Sequence, residues 1–299
     1  MTTQRIRESL QNTNFPFDEI DYVLYHVKCP DGFGSAFVIW TKLRNRAEYL
    51  PVYPTKYKFP SKIAKKNVLL VDVNYPLKII KRLQKVTSNL FIIDHHQTYY
   101  EDYEGKKFIV QNREHSAIYL TWKIFYPGVP VPKFAKYIED QDLFNNRIKK
   151  SLHFITALRV KYRLDSSNDF PSWRKLLKDK EIERLVDIGK KYNELKEYLL
   201  SKNAHIIKKI KWGKYKIGIA NYEMVGLTSD MGNYICDKNP DLEFVVLWNY
   251  HYQDKRYSVS LRSIKKNYDL SELAKQYGGG GHPGASRFTS KEHPDLIFM

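Results

Sequence analysis

The chain has 299 residues, two cysteines and a net charge of +17. At about 150 residues per domain, this length predicts two domains, and the distant cysteines exclude a disulfide framework and favour a reducing, cytoplasmic compartment. No apolar run approaches the roughly 18 residues that cross a membrane, and residues 1–18 form a polar leading segment without a signal core, so we expect a soluble protein. The excess of Lys and Arg favours a polyanionic partner.

The first half of the chain alternates apolar runs with helical patterns. Strands are predicted at 20–27, 68–71 and 90–93, and helices at 33–46, 76–86, 115–125 and 133–139, with a weaker helical pattern over 152–177. Continuous apolar runs are typical of buried parallel strands. Strands that alternate with helices form a mostly parallel sheet. We therefore predict an α/β fold that begins with such a sheet.

The second half changes character after a long charged stretch. Residues 181–211 carry apolar side chains on one stripe, which predicts a helix that connects two domains. Beyond it the pattern predicts strands at 215–220, 244–248 and 257–261, and helices at 228–237 and 270–277. We thus expect three parts and an active site in the cleft between the domains. They are a first domain at 1–180, the connecting helix at 181–211 and a smaller α/β domain at 212–299.

Acidic and imidazole side chains follow the three predicted strands of the first domain. In chain order they are His26, Asp31, Asp72, Asp94, His95 and His96. Parallel neighbours bring their carboxyl ends to one edge of a sheet, and Asp140 and Asp142 follow a helix that could fold back over that edge. Such carboxylates and imidazoles suit Mn²⁺ or Mg²⁺, and two ions could activate a water for in-line attack at phosphorus. Structural zinc is disfavoured, because the cysteines are not paired at zinc spacing.

A glycine run near the end of the chain is the second candidate site. Gly278 to Gly281 would let backbone amides approach an anion closely, and His282 adds a donor beside them. Arg262 ends a predicted strand and could hold a phosphate with two hydrogen bonds. The alternative interpretation is a flexible loop with an ordinary turn histidine.

The order and spacing of these motifs resemble the DHH–DHHA1 phosphoesterases, of the RecJ-like and oligoribonuclease-like (nanoRNase) type. Four segments are similar to the motifs of the DHH catalytic domain, and they are 26–36 (HVKCPDGFGSA), 71–76 (VDVNYP), 93–98 (IDHHQT) and 138–144 (IEDQDLF). Two more look like the DHHA1 substrate-binding domain, at 260–263 (SLRS) and 278–286 (GGGGHPGAS). The resemblance covers nearly the whole chain.

The resemblance implies roles for these residues. Two Mn²⁺ ions, with Mg²⁺ or Co²⁺ as alternatives, would be held by His26, Asp31, Asp72, His95 and Asp140. The implied catalytic group is Asp72, which would bridge the ions, His96, which would face the scissile phosphate, and Asp94, which would orient a histidine. The implied substrate ligands are Arg262, Ser263, Gly279, Gly280, Gly281 and His282.

Three positions stay open. Cys29 stands where many members of the family have an aspartate. It could bind a metal as a thiolate, or it could fill space while water completes the metal's shell, and we favour the second because hard ions prefer oxygen. Asp142 could serve in place of Asp140. His115, at the start of a predicted helix, is a further candidate for the surroundings of the site.

The predicted function is a Mn²⁺-dependent phosphodiesterase that hydrolyses short oligonucleotides or single-stranded ends to mononucleotides. Cyclic dinucleotides, nucleotides such as adenosine bisphosphate, and polyphosphate stay open as substrates, and so do RNA against DNA and the direction of cleavage. A hypothesis from a different class is a catalytically weakened DHH scaffold that binds nucleic acid, which only Cys29 supports. We expect no membrane partner, and a homodimer stays open.

Overall fold

The computed structural model describes residues 13–54, 56–222, 226–265 and 268–298. Residues 1–12 of the predicted leading segment lie outside the described residues. The chain divides into two compact units, Met1–Asn193 and Glu194–Met299. Within the described ranges, every helix is too short or too polar to cross a membrane. The predicted α/β class is confirmed, with a parallel sheet, a long helix and then a second, mixed sheet.

The first unit is built around a sheet of five described strands. These are β1 (Tyr22–His26), β2 (Glu48–Val52), β3 (Asn67–Val71), β4 (Asn89–Asp94) and β5 (Ile109–Gln111). They lie in the order β2-β1-β3-β4-β5, and each neighbouring pair is parallel. The three predicted strands β1, β3 and β4 are therefore neighbours whose carboxyl ends meet at one edge. The pattern missed the two outer strands, because β2 mixes exposed and buried residues without a continuous apolar run and β5 has only three residues.

Helices cover both faces of this sheet. They are α1 (Pro30–Leu43), α2 (Leu77–Val86), α3 (Ala117–Phe125), α4 (Lys133–Asp142), α5 (Ser151–Lys161) and α6 (Phe170–Trp173). Alternate residues of a strand point to opposite faces. In β1, Val23 and Tyr25 belong to one apolar cluster and Leu24 to another, and all three are fully buried. The continuous apolar runs in the sequence reflect this double burial.

The long helix α7 (Asp179–Asn203) is shorter than predicted. It ends at Asn203, and residues 208–212 form a strand whose Ile210 and Trp212 pack against an apolar cluster of the second unit. Lysines alternate with these two apolar residues, and a period of two is typical of a strand. The charged stretch over 208–211 is therefore part of a strand and does not continue the helix. The boundary between the two compact units falls inside α7, after Asn193.

The second unit contains a mixed sheet of six described strands. These are β6 (Lys208–Trp212), β7 (Tyr215–Asn221), β8 (Val245–His251), β9 (Arg256–Arg262), β10 (Gly280–His282) and β11 (Ala285–Ser290). Their order is β10-β11-β9-β8-β7-β6, with β7 and β8 parallel and the other pairs antiparallel. The described helices are α8 (Thr228–Lys238), α9 (Leu270–Gln276) and α10 (Pro294–Phe298). The predicted strands and helices of this part are present, and β6, β10 and β11 are additional.

Candidate metal centre

The carboxyl ends of β1, β3 and β4 place His26, Asp72 and His95 side by side. Asp72 directly follows β3 in the left-handed region, with a φ of 57°. A non-glycine residue there is uncommon and often marks a functional site, and Asp is among the residues that tolerate it. The Asp72 carboxylate lies between the two imidazoles, with Oδ2 at 3.2 Å from His26 Nδ1 and Oδ1 at 3.3 Å from His95 Nε2.

The first turn of α1 places Asp31 near His95. Asp31 is fully buried, and its two oxygens accept hydrogen bonds of 2.8 Å from the amides of Ala117 and Ile118. These amides begin α3, whose amino end favours a negative charge. Gly32 allows the close packing, because a Cβ there would lie 2.6 Å from the carbonyl oxygen of His26. Asp31 Oδ2 also lies 3.6 Å from His95 Nε2.

The last turn of α4 brings Asp142, and not Asp140, to the cluster. Asp142 Oδ2 lies 3.1 Å from His95 Nε2. The Asp140 carboxylate instead accepts hydrogen bonds from the amides of Arg147 and Ile148, at 2.9 and 3.3 Å, and from the Ser151 hydroxyl. Residues two apart on an α-helix point to nearly opposite sides. The structure therefore places Asp142 in the cluster and Asp140 outside it, and metal binding by either residue stays a prediction.

Within the described residues, three overlapping groups of side chains have ligand atoms within 4.8 Å of one another. The groups share Asp72 and His95, which makes them one continuous cluster. The groups are His26–Cys29–Asp72, Asp72–His95–His96 and Asp31–His95–Asp142. The predicted ligands His26, Asp31, Asp72 and His95 are thus brought together by three strand ends and the first turn of α1.

Charge and hydrogen bonding show that this cluster suits a cation. Asp72 Oδ1 and Asp142 Oδ2 are buried and accept no well-formed hydrogen bond, whereas buried polar atoms are nearly always paired. Burial and the nearby charges of Asp72 and Asp142 raise the pKa of Asp31 well above its usual range. Burial lowers the pKa of His95, but its contacts with Asp142 and Asp72 raise that pKa to about 12. A divalent ion would neutralise these carboxylates, and its preferred donors are present.

The pKa of Asp72 shifts the other way. Burial acts to raise it, but the contacts of its carboxylate with the imidazoles of His26 and His95 hold the pKa well below the usual range of an aspartate. Burial and the charges of Asp72 and Asp31 raise the pKa of the Cys29 thiol well above its usual value. Asp72 is therefore ionised and ready to act as a ligand, while the thiol keeps its proton until a cation offsets the surrounding charge.

Asp94 fixes the orientation of His96. Asp94 is buried, and its Oδ1 lies 2.8 Å from His96 Nδ1, while its Oδ2 accepts a hydrogen bond of 2.5 Å from the Asn74 amide group. Asn74 also donates to the carbonyl oxygen of Thr98. Sequence reasoning missed Asn74, although its position two residues after Asp72 was a usable signal. Burial lowers the pKa of His96, but the hydrogen bond and charge of Asp94 outweigh burial and raise it.

His115 belongs to none of the donor groups found among the described residues. Its ring stacks on Tyr119 at 3.7 Å between centroids, and its Nδ1 lies 3.2 Å from Glu139 Oε1. The other oxygen of Glu139 accepts the amide of Ser116. His115 therefore helps to fix the start of α3, the helix whose amides hold Asp31.

In the second unit, Arg262 and His282 share one face of the sheet. Arg262 of β9 and His282 of β10 are both paired with Ala285 of β11, and directly opposed residues point to the same face. The Arg262 guanidinium also donates to the Ser229 hydroxyl and to the carbonyl oxygen of Leu261. These hydrogen bonds fix the orientation of the Arg262 guanidinium without a bound anion.

Two other predicted substrate ligands have different roles in the structure. Ser263 is buried, and its hydroxyl donates to the carbonyl oxygen of Glu243 at 2.7 Å. The amide of Gly279 donates to the carbonyl oxygen of Ala274 at 2.9 Å, which closes the carboxyl end of α9. Neither group is therefore available to an anion. A Cβ on Gly279 would lie 2.2 Å from the carbonyl oxygen of Arg287, so close chain packing requires this glycine.

Gly280 and Gly281 lie in β10 and not in a flexible loop. They pair with Arg287 and Ser286 of β11. The pairing shows that Arg287 is two residues from Ala285 and shares the face of Arg262 and His282. Sequence reasoning missed Arg287, because the hairpin that places it was read as a loop. The face formed by Arg262, His282 and Arg287 is called the arginine face below.

Comparisons with known proteins agree with these two parts. Residues 223–297 match the DHHA1 domain family. An uncharacterized protein of Acanthamoeba polyphaga mimivirus is 32% identical over 310 residues, which cover 95% of this chain and 71% of that protein. The oligoribonuclease NrnB of Bacillus subtilis is 33% identical over 104 residues, or 35% of this chain and 24% of that protein.

A solved structure has a similar fold. The pGpG-specific phosphodiesterase PggH of Vibrio cholerae matches with a TM-score of 0.58, over 93% of this chain and 96% of that one. The two sequences are 13% identical, so this likeness concerns the fold alone.

Proposed function

This chain belongs to the DHH/DHHA1 phosphoesterase family, and we propose that it hydrolyses short single-stranded oligonucleotides with the help of two divalent metal ions, Mn²⁺ foremost. One observation carries the proposal. Asp31, Asp72, His95 and Asp142 converge at one sheet edge, and buried carboxylate oxygens of Asp72 and Asp142 lie 3.3 and 3.1 Å from His95 Nε2 without a well-formed hydrogen bond. Such a constellation is costly without a cation and is typical of metal-dependent phosphoryl chemistry.

The donor groups indicate which residues would hold the ions. Asp31, His95 and Asp142 would hold one ion, and His26 would hold the other, with Asp72 serving both. When bound, two such ions lower the pKa of a water and neutralise charge on the phosphoryl oxygens. The protein's own contribution is to fix these ligands before substrate arrives, through the amides that bind Asp31 and the left-handed backbone that aims Asp72.

His96 would serve the substrate and not a metal ion. Its Nδ1 is engaged by Asp94, which leaves Nε2 for the phosphate. Asp94 raises the pKa of His96, which favours a proton at Nε2. Such a proton could be donated to a phosphoryl oxygen or to the leaving oxygen of the substrate. Asn74 supports this arrangement, because it holds the second oxygen of Asp94.

Three observations support an oligonucleotide as the substrate. The arginine face offers Arg262, Arg287 and His282 on one surface of the second unit, and guanidinium groups bind phosphates with paired hydrogen bonds. The net charge of +17 favours a polyanion larger than a mononucleotide. The match to an oligoribonuclease supports RNA oligomers over inorganic polyphosphate or cyclic dinucleotides.

The test is hydrolysis of end-labelled di- to decanucleotides, as RNA and as DNA, with Mn²⁺. Polyphosphate, a cyclic dinucleotide and adenosine bisphosphate are assayed in parallel. We expect mononucleotides from the oligonucleotides and no product from D72N under the same conditions. Hydrolysis of oligonucleotides no faster than D72N contradicts the proposal, and absence of stoichiometric Mn²⁺ as well would support the scaffold hypothesis.

A second assay tests the role of the arginine face. R287A is expected to raise the KM for oligonucleotides about tenfold, because one charge-assisted hydrogen bond to phosphate is lost. The same variant should hydrolyse bis(p-nitrophenyl) phosphate at the wild-type rate, because this small diester needs the metal cluster alone. An equal loss on both substrates would show that Arg287 acts on the stability of the protein and not on substrate binding.

A further inference from the structure

Cys29 lies in the metal cluster, although cysteine is not a ligand that Mn²⁺ prefers. Its Sγ, one ring nitrogen of His26 and one carboxylate oxygen of Asp72 lie within 4.8 Å of one another. Atoms that bind one tetrahedral ion at 2.0–2.3 Å lie about 3.5 Å apart, so small side-chain movements would suffice. The thiol is free and partly buried.

The backbone places Cys29 in this position. β1 ends at His26, and Lys28 then takes a left-handed conformation with a φ of 60°, in which its backbone N–H donates a hydrogen bond of 2.9 Å to the carbonyl oxygen of Leu164. Cys29 follows in an extended conformation, as expected before Pro30, the first residue of α1. The geometry of the turn therefore directs the thiol to the metal cluster independently of the side chain's chemistry.

A second observation points to a ligand at this place. Asp72 is fully buried; its Oδ2 lies 3.2 Å from His26 Nδ1 in this donor group, while its Oδ1, 3.3 Å from His95 Nε2, accepts no well-formed hydrogen bond. The donor group of His26, Cys29 and Asp72 shares no residue with the group of Asp31, His95 and Asp142. The two groups are adjacent, because Asp72 Oδ1 lies 3.3 Å from His95 Nε2. The cluster thus offers two positions, one with a sulfur donor and one with oxygen and nitrogen donors.

We propose that Cys29 binds one of the two metal ions as a thiolate, so that the two positions prefer different metals. The position of His26, Cys29 and Asp72 takes a borderline-soft ion such as Zn²⁺ or Co²⁺. The position of Asp31, His95 and Asp142 takes Mn²⁺ or Mg²⁺. On binding, the thiol releases its proton to solvent and the sulfur donates its electron pair to the ion. This inference rests on the proposed two-metal enzyme and replaces the expectation that Cys29 only fills space.

The chemistry of the donors supports this division. Thiolates select softer ions such as Zn²⁺, whereas carboxylates suit Mg²⁺ and Mn²⁺. Affinities of mixed donor sets also rise from Mn²⁺ to Co²⁺ and are high for Zn²⁺. An aspartate at position 29 would remove the sulfur and make both positions similar. The variant C29D therefore provides a direct comparison.

The decisive measurement is the absorption spectrum of the full-length protein loaded with Co²⁺. A thiolate bound to Co²⁺ gives an intense charge-transfer band in the near ultraviolet, which carboxylate and imidazole ligands do not give. We expect the band in the wild type and its loss in C29D at an equal content of bound Co²⁺. The matched control is C236A, because Cys236 is buried in the second unit, where its Sγ donates to the carbonyl oxygen of Arg262. C236A should keep the band.

Metal competition gives a readout that does not depend on spectra. After equilibration with Zn²⁺ and a large excess of Mn²⁺, the wild type should retain Zn²⁺ at the position of Cys29 and Mn²⁺ at the position of Asp31, His95 and Asp142. In C29D, the preference for Zn²⁺ over Mn²⁺ at the position of His26, residue 29 and Asp72 should fall by at least about tenfold. If C29D does not fold, C29S takes its place and should lose the band in the same way.

The outcomes separate this inference from the proposed function. A wild type that binds two Co²⁺ ions without the band overturns Cys29 ligation, and Mn²⁺-dependent hydrolysis would leave the proposed function intact. A wild type that shows the band but hydrolyses no phosphodiester overturns the proposed function and leaves the thiolate ligand in place. A band that persists in C29D and disappears in C236A assigns it to the other cysteine and also overturns the inference.

Discussion

Asp140 and Asp142 lie two residues apart on α4, yet their surroundings are opposite. Asp140 is buried and accepts hydrogen bonds from two amides and one hydroxyl. Burial acts to raise its pKa, but these hydrogen bonds outweigh burial and lower it. Asp142 places an oxygen beside His95, with Asp31 and Asp72 nearby, and this oxygen has no well-formed hydrogen bond. Burial alone therefore does not identify a functional carboxylate.

The comparison separates structural from functional charge more generally. A carboxylate whose acceptors are all used has its charge stabilised by the fold and gains little from a ligand. A carboxylate beside like charges with an unused acceptor costs stability until a cation arrives, and it persists because function requires it. By this criterion, Asp140 resembles a structural group, whereas Asp72 and Asp142 have the features expected of metal ligands.

The largest expected effect is that of D72N on metal binding and activity. Asparagine keeps the left-handed conformation that Asp72 adopts, so the backbone is not strained by the change. Loss of the shared carboxylate should lower kcat/KM for oligonucleotides by about 10³-fold or more. Mn²⁺ at a hundred times its Kd should stabilise the wild type by about 2.7 kcal/mol and D72N by far less. Thermal unfolding with and without Mn²⁺ measures this difference.

D140N is the matched control for this measurement, because it removes a buried carboxylate outside the cluster. It should retain the stabilisation by Mn²⁺. If D72N were stabilised by Mn²⁺ as strongly as the wild type, Asp72 would not be a ligand of either ion.

The second prediction contrasts the two residues of α4 directly. D142N should lower kcat/KM about 10²-fold and release one metal equivalent, because an oxygen ligand loses its charge. D140N should leave the metal content unchanged and cost about 1.5–3 kcal/mol of unfolding free energy, because its hydrogen bonds are made to a charged group. Metal analysis and urea unfolding of both variants provide the test. The reverse pattern would restore Asp140 as the ligand.

The sequence was sufficient to predict which residues at the strand ends of the first unit lie together. Continuous apolar runs predicted β1, β3 and β4, and parallel pairing then required His26, Asp72 and His95 to meet. The choice between Asp140 and Asp142 depended on the rotation of α4 and on a loop that supplies donors from residues 147–151. Such long-range partners leave no local pattern in the sequence.

The second unit shows the same limit. The glycine run suggested an anion-binding loop, because glycine permits close approach of amides to an anion. In the structure, these glycines contact other parts of the protein's own backbone. The Gly279 amide donates to α9, and Gly280 pairs with Arg287 in a hairpin. Which partner approaches a glycine depends on tertiary packing. For this reason the motif was found, but Arg287 and the roles of Ser263 and Gly279 were not.

The third prediction concerns the pH dependence of metal binding. In the metal-free protein the pKa of His95 is about 12, raised by Asp142 and Asp72 against the effect of burial. The stabilisation from its protonated form is complete below the ordinary pKa of 6.5 and is lost as the pH rises toward 12. An ion that binds Nε2 must displace this proton, so affinity for Mn²⁺ should rise about tenfold per pH unit for each proton released.

Calorimetric titration in buffers with different heats of protonation counts the released protons. D142N sharpens this test, because loss of Asp142 should lower the pKa of His95 and reduce proton release at the upper end of the range. Binding whose heat does not depend on the buffer would show that His95 is already neutral in the metal-free protein.

The smallest expected effect is that of breaking an ion pair outside the metal cluster. Glu183 of α7 contacts Lys133 and lies 2.9 Å from Lys150, and hydrogen bonds from these two lysines lower its pKa to about 2. Because 41% of the Glu183 side chain is accessible, solvent screens the interaction with the lysines, and E183Q should cost less than about 1 kcal/mol at neutral pH. With a lowered pKa, this contribution is present above about 4.5 and disappears as the pH falls toward 2. Urea unfolding of wild type, E183Q, K133M and the double variant at low and high salt isolates the pair, and a coupling that high salt does not reduce would show packing rather than charge.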